Sequence, residues 1–171
     1  MSHALIIVDM LHDFVHHQGA LCVPGAQEIV PAIQRELERA RRAGDPVIFV
    51  CDAHDPDDRE FQRFPPHAVA GSAGACVIGQ LTPREGEMVV AKQRYSPFFN
   101  TELHDILLKH GVTEATVVGV CTHICVMETV AGLANRDLKV RVPKDAVADF
   151  DSELAQAALK RMENLFGAQV S

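Results

Sequence analysis

Two cysteines stand four residues apart in the stretch "TVVGVCTHICVMETV", where a β-branched run gives way to a helical pattern. A thiol at such a corner lies near unpaired backbone N–H groups and the positive end of a helix dipole, which together lower its pKa. The N–H groups of Cys121 and Cys125 could also stabilise an oxyanion that forms when Cys125 attacks a carbonyl. The corner therefore predicts covalent chemistry on a carbonyl compound, with Cys125 as the nucleophile.

Other interpretations of this corner are open from the residues alone. Free cysteines are often small buried residues that fill a strand–helix junction, and this pair could be no more than that. A redox pair is a weaker interpretation, because such pairs prefer the CxxC spacing. A metal site made by Cys121, His123 and Cys125 is weaker as well, since it would need side chains that alternate in direction around the turn.

Further polar residues stand at the ends of other short apolar runs. Asp9 ends the first run, Asp52 the second and Lys92 the third, while Asp145 follows the fifth. An isolated residue of this kind is usually a turn, a cap or an ordinary solvated lysine. In an open parallel sheet, however, ligands bind at the carboxyl ends of the strands. The sequence thus predicts that these residues and the cysteines converge on one site.

The elements that must position these residues follow from the alternation of apolar and helical patterns, which is typical of a parallel sheet flanked by helices. The predicted strands are residues 4–9, 46–52, 88–92, 115–120, 139–143 and, more weakly, 168–170. The predicted helices are residues 26–43, 101–110 and 151–166, each followed by a glycine. We expect one domain over residues 1–171, with a doubly wound, Rossmann-like α/β fold of about six mostly parallel strands and helices on both faces.

Composition narrows the class of partner. The chain has 171 residues, is 47% hydrophobic and carries a net charge of −7, without a long run of either sign. This balance argues against nucleic acid or an anionic membrane and favours a small-molecule substrate. The start "MSHALIIVDM" has no basic region and Asp9 breaks its apolar run, so we expect neither an export signal nor a membrane span, and a cytoplasmic protein. Five irregularly spaced cysteines indicate reduced thiols rather than disulfides.

Five motifs together resemble the isochorismatase-like cysteine hydrolase superfamily, and within it the nicotinamidase-like branch. They are "ALIIVDMLHDFV", "FVCDAHDPDDREF", "RFPPHAVAGSAGA", "VAKQRYSPFFNTEL" and "VVGVCTHICVMETV". They occur in the family's order, and the resemblance extends over about residues 4–148. The resemblance implies a catalytic triad of Asp9, Lys92 and Cys125, in which Asp9 is the base. It also implies a cis peptide between Val120 and Cys121 that turns the Cys121 N–H, together with that of Cys125, into an oxyanion hole.

A second set of residues indicates the branch. In "DAH", Asp52 and His54 lie two residues apart at a strand end, and His67 follows in "FPPH". One carboxylate and two imidazoles suit a divalent zinc, iron or manganese ion with open positions. Glu60 matches a position where some nicotinamidases supply a fourth ligand, and the ion of that branch is thought to hold the pyridine nitrogen of the substrate. The alternative is a set of exposed polar loop residues in a chain with 9 histidines.

The resemblance also places a substrate pocket. Phe14, Phe64 and Tyr95 match positions that form its aromatic walls, and Val120 stands beside the carbonyl of the substrate. Many nicotinamidases have Trp at the position of Phe64, whereas this chain contains no Trp. Cys121 also stands where Ala is frequent. These departures leave the triad intact. They change the walls of the pocket, so they bear on which ring the substrate carries.

The resemblance implies a metal-assisted cysteine amidohydrolase that converts a small aromatic carboxamide to the acid and ammonia through a thioester on Cys125. An alternative is another hydrolase of the superfamily that acts on an N-carbamoyl compound, a ureide or an isochorismate-like substrate. A third is a non-catalytic scaffold, which the intact triad disfavours. A dinucleotide-binding enzyme is excluded, because "DMLHDF" follows the first strand where a glycine-rich loop is required. Family resemblance also predicts a homo-oligomer, a dimer or larger.

Overall fold

The apolar runs of the sequence form one parallel sheet in a computed structural model, which describes residues 2–171. The strands are β1 (Ser2–Val8), β2 (Val47–Asp52), β3 (Met88–Lys92), β4 (Val112–Val120), β5 (Lys139–Val142), β6 (Val147–Ala148) and β7 (Gln169–Val170). They follow the order β3-β2-β1-β4-β5-β7, with β6 beside the end of β4, and every pairing is parallel. All six residues of β2 are buried, as expected for a strand covered on both faces.

Helices cover both faces of the sheet. They are α1 (His12–Val15), α2 (Val30–Ala43), α3 (Leu103–Lys109), α4 (Met127–Ala134) and α5 (Ser152–Phe166). Alternate residues of β1 point to opposite faces: Leu5 and Ile7 share a core with α2, whereas Ile6 lies in the core formed with α3, α4 and α5. Within residues 2–171, none of the helices combines the length and apolarity needed to cross a membrane.

The observed architecture confirms the predicted α/β class with a doubly wound parallel sheet, and the differences lie at the ends of elements and in two short elements. Helix α2 begins four residues later than predicted, because the chain turns before it and Pro31 occupies its first turn. Helix α5 follows the prediction closely, since Asp151 caps the N–H groups of Glu153 and Leu154. The two-residue strand β6 and the four-residue helix α1 were not predicted, because such short segments carry no periodic signal.

The carboxyl ends of four neighbouring parallel strands, β1 to β4, lie together along one edge of the sheet. The chain leaves β1 toward one side of the sheet and reaches the neighbouring strand β4 from the other, so the carboxyl ends of β1 and β4 flank a topological switch point. Asp9 directly follows β1, and its N–H donates to the carbonyl of Val50 in β2 at 2.9 Å. Asp52 and Lys92 are the last residues of β2 and β3 and lie opposite each other in register. This edge is therefore where the reactive residues gather.

The backbones of β1 and β4 approach each other closely at Gly119. Its φ is +116°, and a Cβ atom at this position would lie 2.0 Å from the carbonyl oxygen of Val8. A side chain would meet the backbone of a central strand, which cannot move aside without breaking the ladder. Gly119 therefore allows the two strands that flank the switch point to pair.

We expect Gly119→Ala to lower the free energy of unfolding by about 3 kcal/mol or more, because it adds both backbone strain and overpacking. Urea-induced unfolding measures the loss. Gly44→Ala is the matched control: its φ is +73°, but no atom lies within 4 Å of the added Cβ. That control should lose only about 1–2 kcal/mol. Equal losses in the two variants would contradict the close approach of β1 and β4.

Candidate active site

Lys92 lies at the centre of the edge where the strands end, and its side chain is fully buried. Its Nζ lies 2.9 Å from Asp9 Oδ2 and 3.4 Å from Cys125 Sγ, and it donates a hydrogen bond to Asp52 Oδ1. An ordinary lysine at a strand end would extend into solvent, whereas a buried ammonium requires nearby carboxylates. The structure thus brings Asp9, Lys92 and Cys125 together and adds Asp52 to the same cluster.

Burial and neighbouring charges shift the pKa values of Lys92 and Asp52 in opposite directions. Burial by itself lowers the pKa of Lys92, but the negative charges of Asp52 and Asp9 outweigh it and raise that pKa well above its ordinary value. Burial likewise favours a neutral Asp52, but Lys92 and then His54 outweigh it and lower the pKa of this carboxyl. Lys92 and Asp52 therefore form a charged pair in the interior.

Asp9 is held differently from Asp52. It adopts a left-handed backbone conformation after β1, and its Oδ1 accepts a hydrogen bond of 2.8 Å from the N–H of Asp52. Its Oδ2 lies 2.9 Å from the ammonium nitrogen of Lys92. Burial, followed by the charge of Asp52, raises the pKa of Asp9 to about 6 against the influence of Lys92. Asp9 is therefore suited to exchange a proton near neutral pH.

Cys125 lies in a π-helical turn, Thr122–Val126, that joins β4 to α4. The peptide bond between Val120 and Cys121 is cis, and an oxygen of Asp9 lies within 4.8 Å of Cys125 Sγ. The sequence-based expectation of a lowered thiol pKa is wrong. Burial raises the pKa of Cys125 well above its ordinary value, and Asp9 and Asp52 add to this although Lys92 opposes it. The resting group is a thiol, so its attack on a carbonyl requires a base.

A mainly apolar pocket opens beside Cys125. The residues that line it are Asp9, Phe14, Leu21, Asp52, Glu60, Phe64, His67, Tyr95, Val120, Cys121, Ile124, Cys125 and Phe150. All four predicted pocket residues are among them. Leu21, Ile124 and Phe150 were missed, because they reach the pocket from three separate loops or turns that no sequence spacing connects. The aromatic rings of Phe14, Phe64, Tyr95 and Phe150 provide flat walls, and Asp9, Asp52, Glu60 and His67 add polar groups.

The predicted metal ligands also meet. One ligand atom from each of Asp52, His54 and His67 lies within 4.8 Å of the others, and all three residues are buried. His67 Nδ1 is 2.7 Å from the carbonyl oxygen of Pro65, to which it can donate, and this leaves Nε2 as a lone pair. His54 Nε2 is buried without a hydrogen-bond partner among the described residues. Such an unsatisfied nitrogen beside an imidazole and a carboxylate fits a divalent cation.

Glu60 is placed at the margin of this group. It is buried and its Oε1 lies 3.8 Å from His67 Nε2, but it does not join the three residues whose ligand atoms cluster. Burial, followed by the charge of Asp52, raises the pKa of Glu60. The structure therefore supports a three-residue group with Glu60 adjacent to it.

Two residues considered from the sequence lie outside the site. Asp145 does not converge on the strand ends: the turn after β5 directs it to the surface, where it forms an exposed ion pair of 2.6 Å with Arg35. His123 is 2.6 Å from Asp149 and forms no metal-ligand group with the two cysteines among residues 2–171. The expectation for Asp145 is thus wrong, because the end of a strand does not determine which way the following turn bends.

Comparison with known proteins agrees with this geometry. A family model described as an isochorismatase domain matches residues 3–171. The solved structure of nicotinamidase/pyrazinamidase PncA from Bacillus subtilis is 34% identical with a TM-score of 0.94, and the match covers 100% of both chains. N-carbamoylsarcosine amidase from Thermoplasma acidophilum is also 34% identical, with a TM-score of 0.91 over 100% of this chain and 96% of that one.

A third solved structure, the pyrazinamidase of Pyrococcus horikoshii in complex with zinc, is 28% identical with a TM-score of 0.94, over 100% of this chain and 99% of that one. These matches extend over essentially the whole chain and confirm the resemblance drawn from the motifs. They include amidases whose names refer to different substrates, so the level of agreement is that of the family. The chain belongs to the isochorismatase family and resembles its nicotinamidase-like members.

Proposed function

We propose that the chain is a metal-dependent amidohydrolase of the nicotinamidase type, which hydrolyses a small aromatic carboxamide through a thioester on Cys125. Like its family relatives, the chain is a hydrolase of carbon–nitrogen bonds other than peptide bonds; the proposal concerns its substrate, ion and mechanism. The observation that carries it is the buried group of Asp52, His54 and His67 beside the apolar pocket that Cys125 faces.

Acylation begins with the thiol, which is protonated at rest. Asp9 takes the proton of Cys125 as the sulfur attacks the carbonyl carbon, and the ammonium of Lys92 stabilises the negative charge on sulfur while it develops. The N–H groups of Cys121 and Cys125 stabilise the tetrahedral oxyanion. Asp9 returns the proton to the nitrogen, the carbon–nitrogen bond breaks and ammonia leaves. The acyl group remains on Cys125 as a thioester.

Deacylation uses the same base. Asp9 removes a proton from a water molecule as its oxygen attacks the thioester carbon, and the carbon–sulfur bond then breaks. The proton passes from Asp9 to the sulfur, which restores the thiol of Cys125 and releases the carboxylic acid. One water is consumed for each amide hydrolysed, so that the balance is amide plus water to acid plus ammonia.

The candidate metal ligands and the pocket walls would together select the substrate. Asp52, His54 and His67 would hold a zinc, iron or manganese ion, which when bound supplies a Lewis acid for a ring nitrogen and so orients the substrate. Phe14, Phe64 and the other apolar walls exclude water from the ring. The homo-oligomer implied by the resemblance and the cytoplasmic location expected from the sequence both stay predictions.

We expect purified protein loaded with zinc, manganese or iron(II) to release ammonia from nicotinamide and pyrazinamide. The reason is that both pair a ring nitrogen with a carboxamide. A coupled ammonia assay on these amides, on ureides and on N-carbamoyl compounds, with metal content measured on the same sample, tests the substrate. Ammonia from N-carbamoyl compounds but not from nicotinamide would replace the proposed substrate class with that of the carbamoylsarcosine amidase relative.

Cys125→Ala should lower kcat by roughly 10³-fold or more on any substrate, because no other group can form the thioester. The ammonia assay measures the rate, and circular dichroism establishes that the fold is kept. Cys76→Ala, at an exposed free thiol, is the control and should leave the rate unchanged. Cys121→Ala should retain most activity, because only the backbone of Cys121 takes part; a loss as large as that of Cys125→Ala would overturn this division of roles.

His54→Ala should abolish stoichiometric metal binding, since it removes one of three protein ligands, and ammonia release from nicotinamide should fall with it. Inductively coupled plasma mass spectrometry after dialysis against dilute zinc measures the metal content. His110→Ala removes an exposed histidine and should retain the metal. One equivalent of zinc retained in His54→Ala protein would show that the zinc binds at a site other than Asp52, His54 and His67.

A further inference from the structure

We propose that Asp58, supported by Arg94, is a positioning residue that fixes the ring of His54 so that Nε2 is free to bind a metal ion. The inference rests on the metal site of the proposed function and adds residues to it. His54 Nδ1 lies 3.2 Å from Asp58 Oδ2, and the side chains of both residues are almost fully buried. The opposite ring nitrogen, Nε2, lies 3.6 Å from Asp52 Oδ2.

Asp58 is itself held in place by two further contacts. Its Oδ1 accepts a hydrogen bond of 2.9 Å from the N–H of Glu60, and its Oδ2 lies 3.0 Å from Arg94 Nη1. Both of these partners are hydrogen-bond donors, a backbone N–H and a guanidinium, and donors of this kind favour the ionised form of a carboxyl group. Asp58 is therefore a carboxylate, which can only accept hydrogen bonds.

A carboxylate beside Nδ1 determines where the hydrogen of the imidazole lies. Because Asp58 cannot donate, Nδ1 must carry the hydrogen, and in a neutral ring Nε2 is then a bare lone pair. Nε2 is the buried atom without a hydrogen-bond partner in the part of the chain that the structure describes. A carboxylate that accepts from the second nitrogen of a ligating histidine also raises its basicity and fixes its orientation.

The ring of His54 has little freedom to turn away. Phe61 packs against it with ring centroids 5.5 Å apart, and His67 does so at 5.0 Å. The backbone is fixed as well, since the N–H of His54 donates to the carbonyl of Ala68 at 3.0 Å. This bond also ties His54 to the residue after His67. These three contacts fix the location of the His54 ring. Asp58 therefore determines which ring nitrogen carries the hydrogen, and not where the ring lies.

Asp58 also begins the short 3₁₀ turn Arg59–Gln62, so a purely structural role must be separated from the proposed one. Asp58→Asn makes this separation. The amide oxygen can still accept the Glu60 N–H and preserve the turn, while the amide nitrogen takes the place of the oxygen that faces His54. An N–H donor at that place favours the imidazole tautomer that carries its hydrogen on Nε2. In that tautomer Nε2 has no free lone pair and cannot bind a metal ion.

The experiment measures the affinity of purified full-length protein for Zn²⁺ by competition with a chelator. We expect Asp58→Asn to bind Zn²⁺ about 10- to 100-fold more weakly than wild type. Arg94→Gln, which leaves the carboxylate in place, should weaken binding by no more than about fivefold. In ¹⁵N NMR of zinc-loaded wild type, a slowly exchanging Nδ1–H of His54 should be visible, and it should be absent from Asp58→Asn protein.

Asp57→Asn is the matched control, because it makes the same charge change at the adjacent, exposed position. It should bind Zn²⁺ within about twofold of wild type. Affinity in Asp58→Asn within twofold of wild type, or an equal loss in Asp57→Asn, overturns the inference. Wild type that fails to bind Zn²⁺ overturns both the inference and the proposed ion. Wild type that binds Zn²⁺ but hydrolyses no amide removes the proposed substrate and leaves the role of Asp58 intact.

Discussion

The buried ammonium of Lys92 is the constraint on which the site depends. An isolated cation in the interior would be strongly destabilised, so the fold must place negative or polarisable groups around it. Asp9, Asp52 and the sulfur of Cys125 meet this need, and they come from the ends of three other strands. The sheet thus surrounds a buried cation with the same groups to which the proposed mechanism assigns the chemistry.

The two carboxylates beside this cation have opposite properties because their environments differ. Asp52 shares a hydrogen bond with Lys92 and lies near His54, so its pKa is lowered and it stays ionised. Asp9 is equally buried, and burial followed by the charge of Asp52 raises its pKa to about 6 against the influence of Lys92. Two like residues on one cation therefore divide into a fixed charge and a proton carrier, as pairs of carboxyl groups at active sites commonly do. Asp52 further joins the charge cluster to the candidate metal ligands.

The residues at strand ends could be predicted from the sequence, since short apolar runs mark where parallel strands stop. This reasoning brought Asp9, Lys92 and Cys125 together before any geometry was known, and it failed for Asp145, whose turn bends outward. The pKa of Cys125 was misjudged, because the sequence shows the strand–helix corner but not the burial that outweighs it. Asp58 could have been noticed four residues after His54, but only the folded loop shows that it faces the ring.

The long connection between β2 and β3, residues 53–87, bears on how this enzyme class diversifies. It contributes His54, Glu60, Phe64 and His67 to the pocket or its candidate ion site, and it is built from 3₁₀ turns and two isolated bridges rather than ladder strands. Asp9, Lys92 and Cys125, in contrast, lie at strand ends or directly after them. Loop segments tolerate insertion and replacement far better than paired strands. The residues proposed to recognise a ligand can therefore change while those proposed to break the bond keep their geometry, so that substrate range and reactivity can evolve separately.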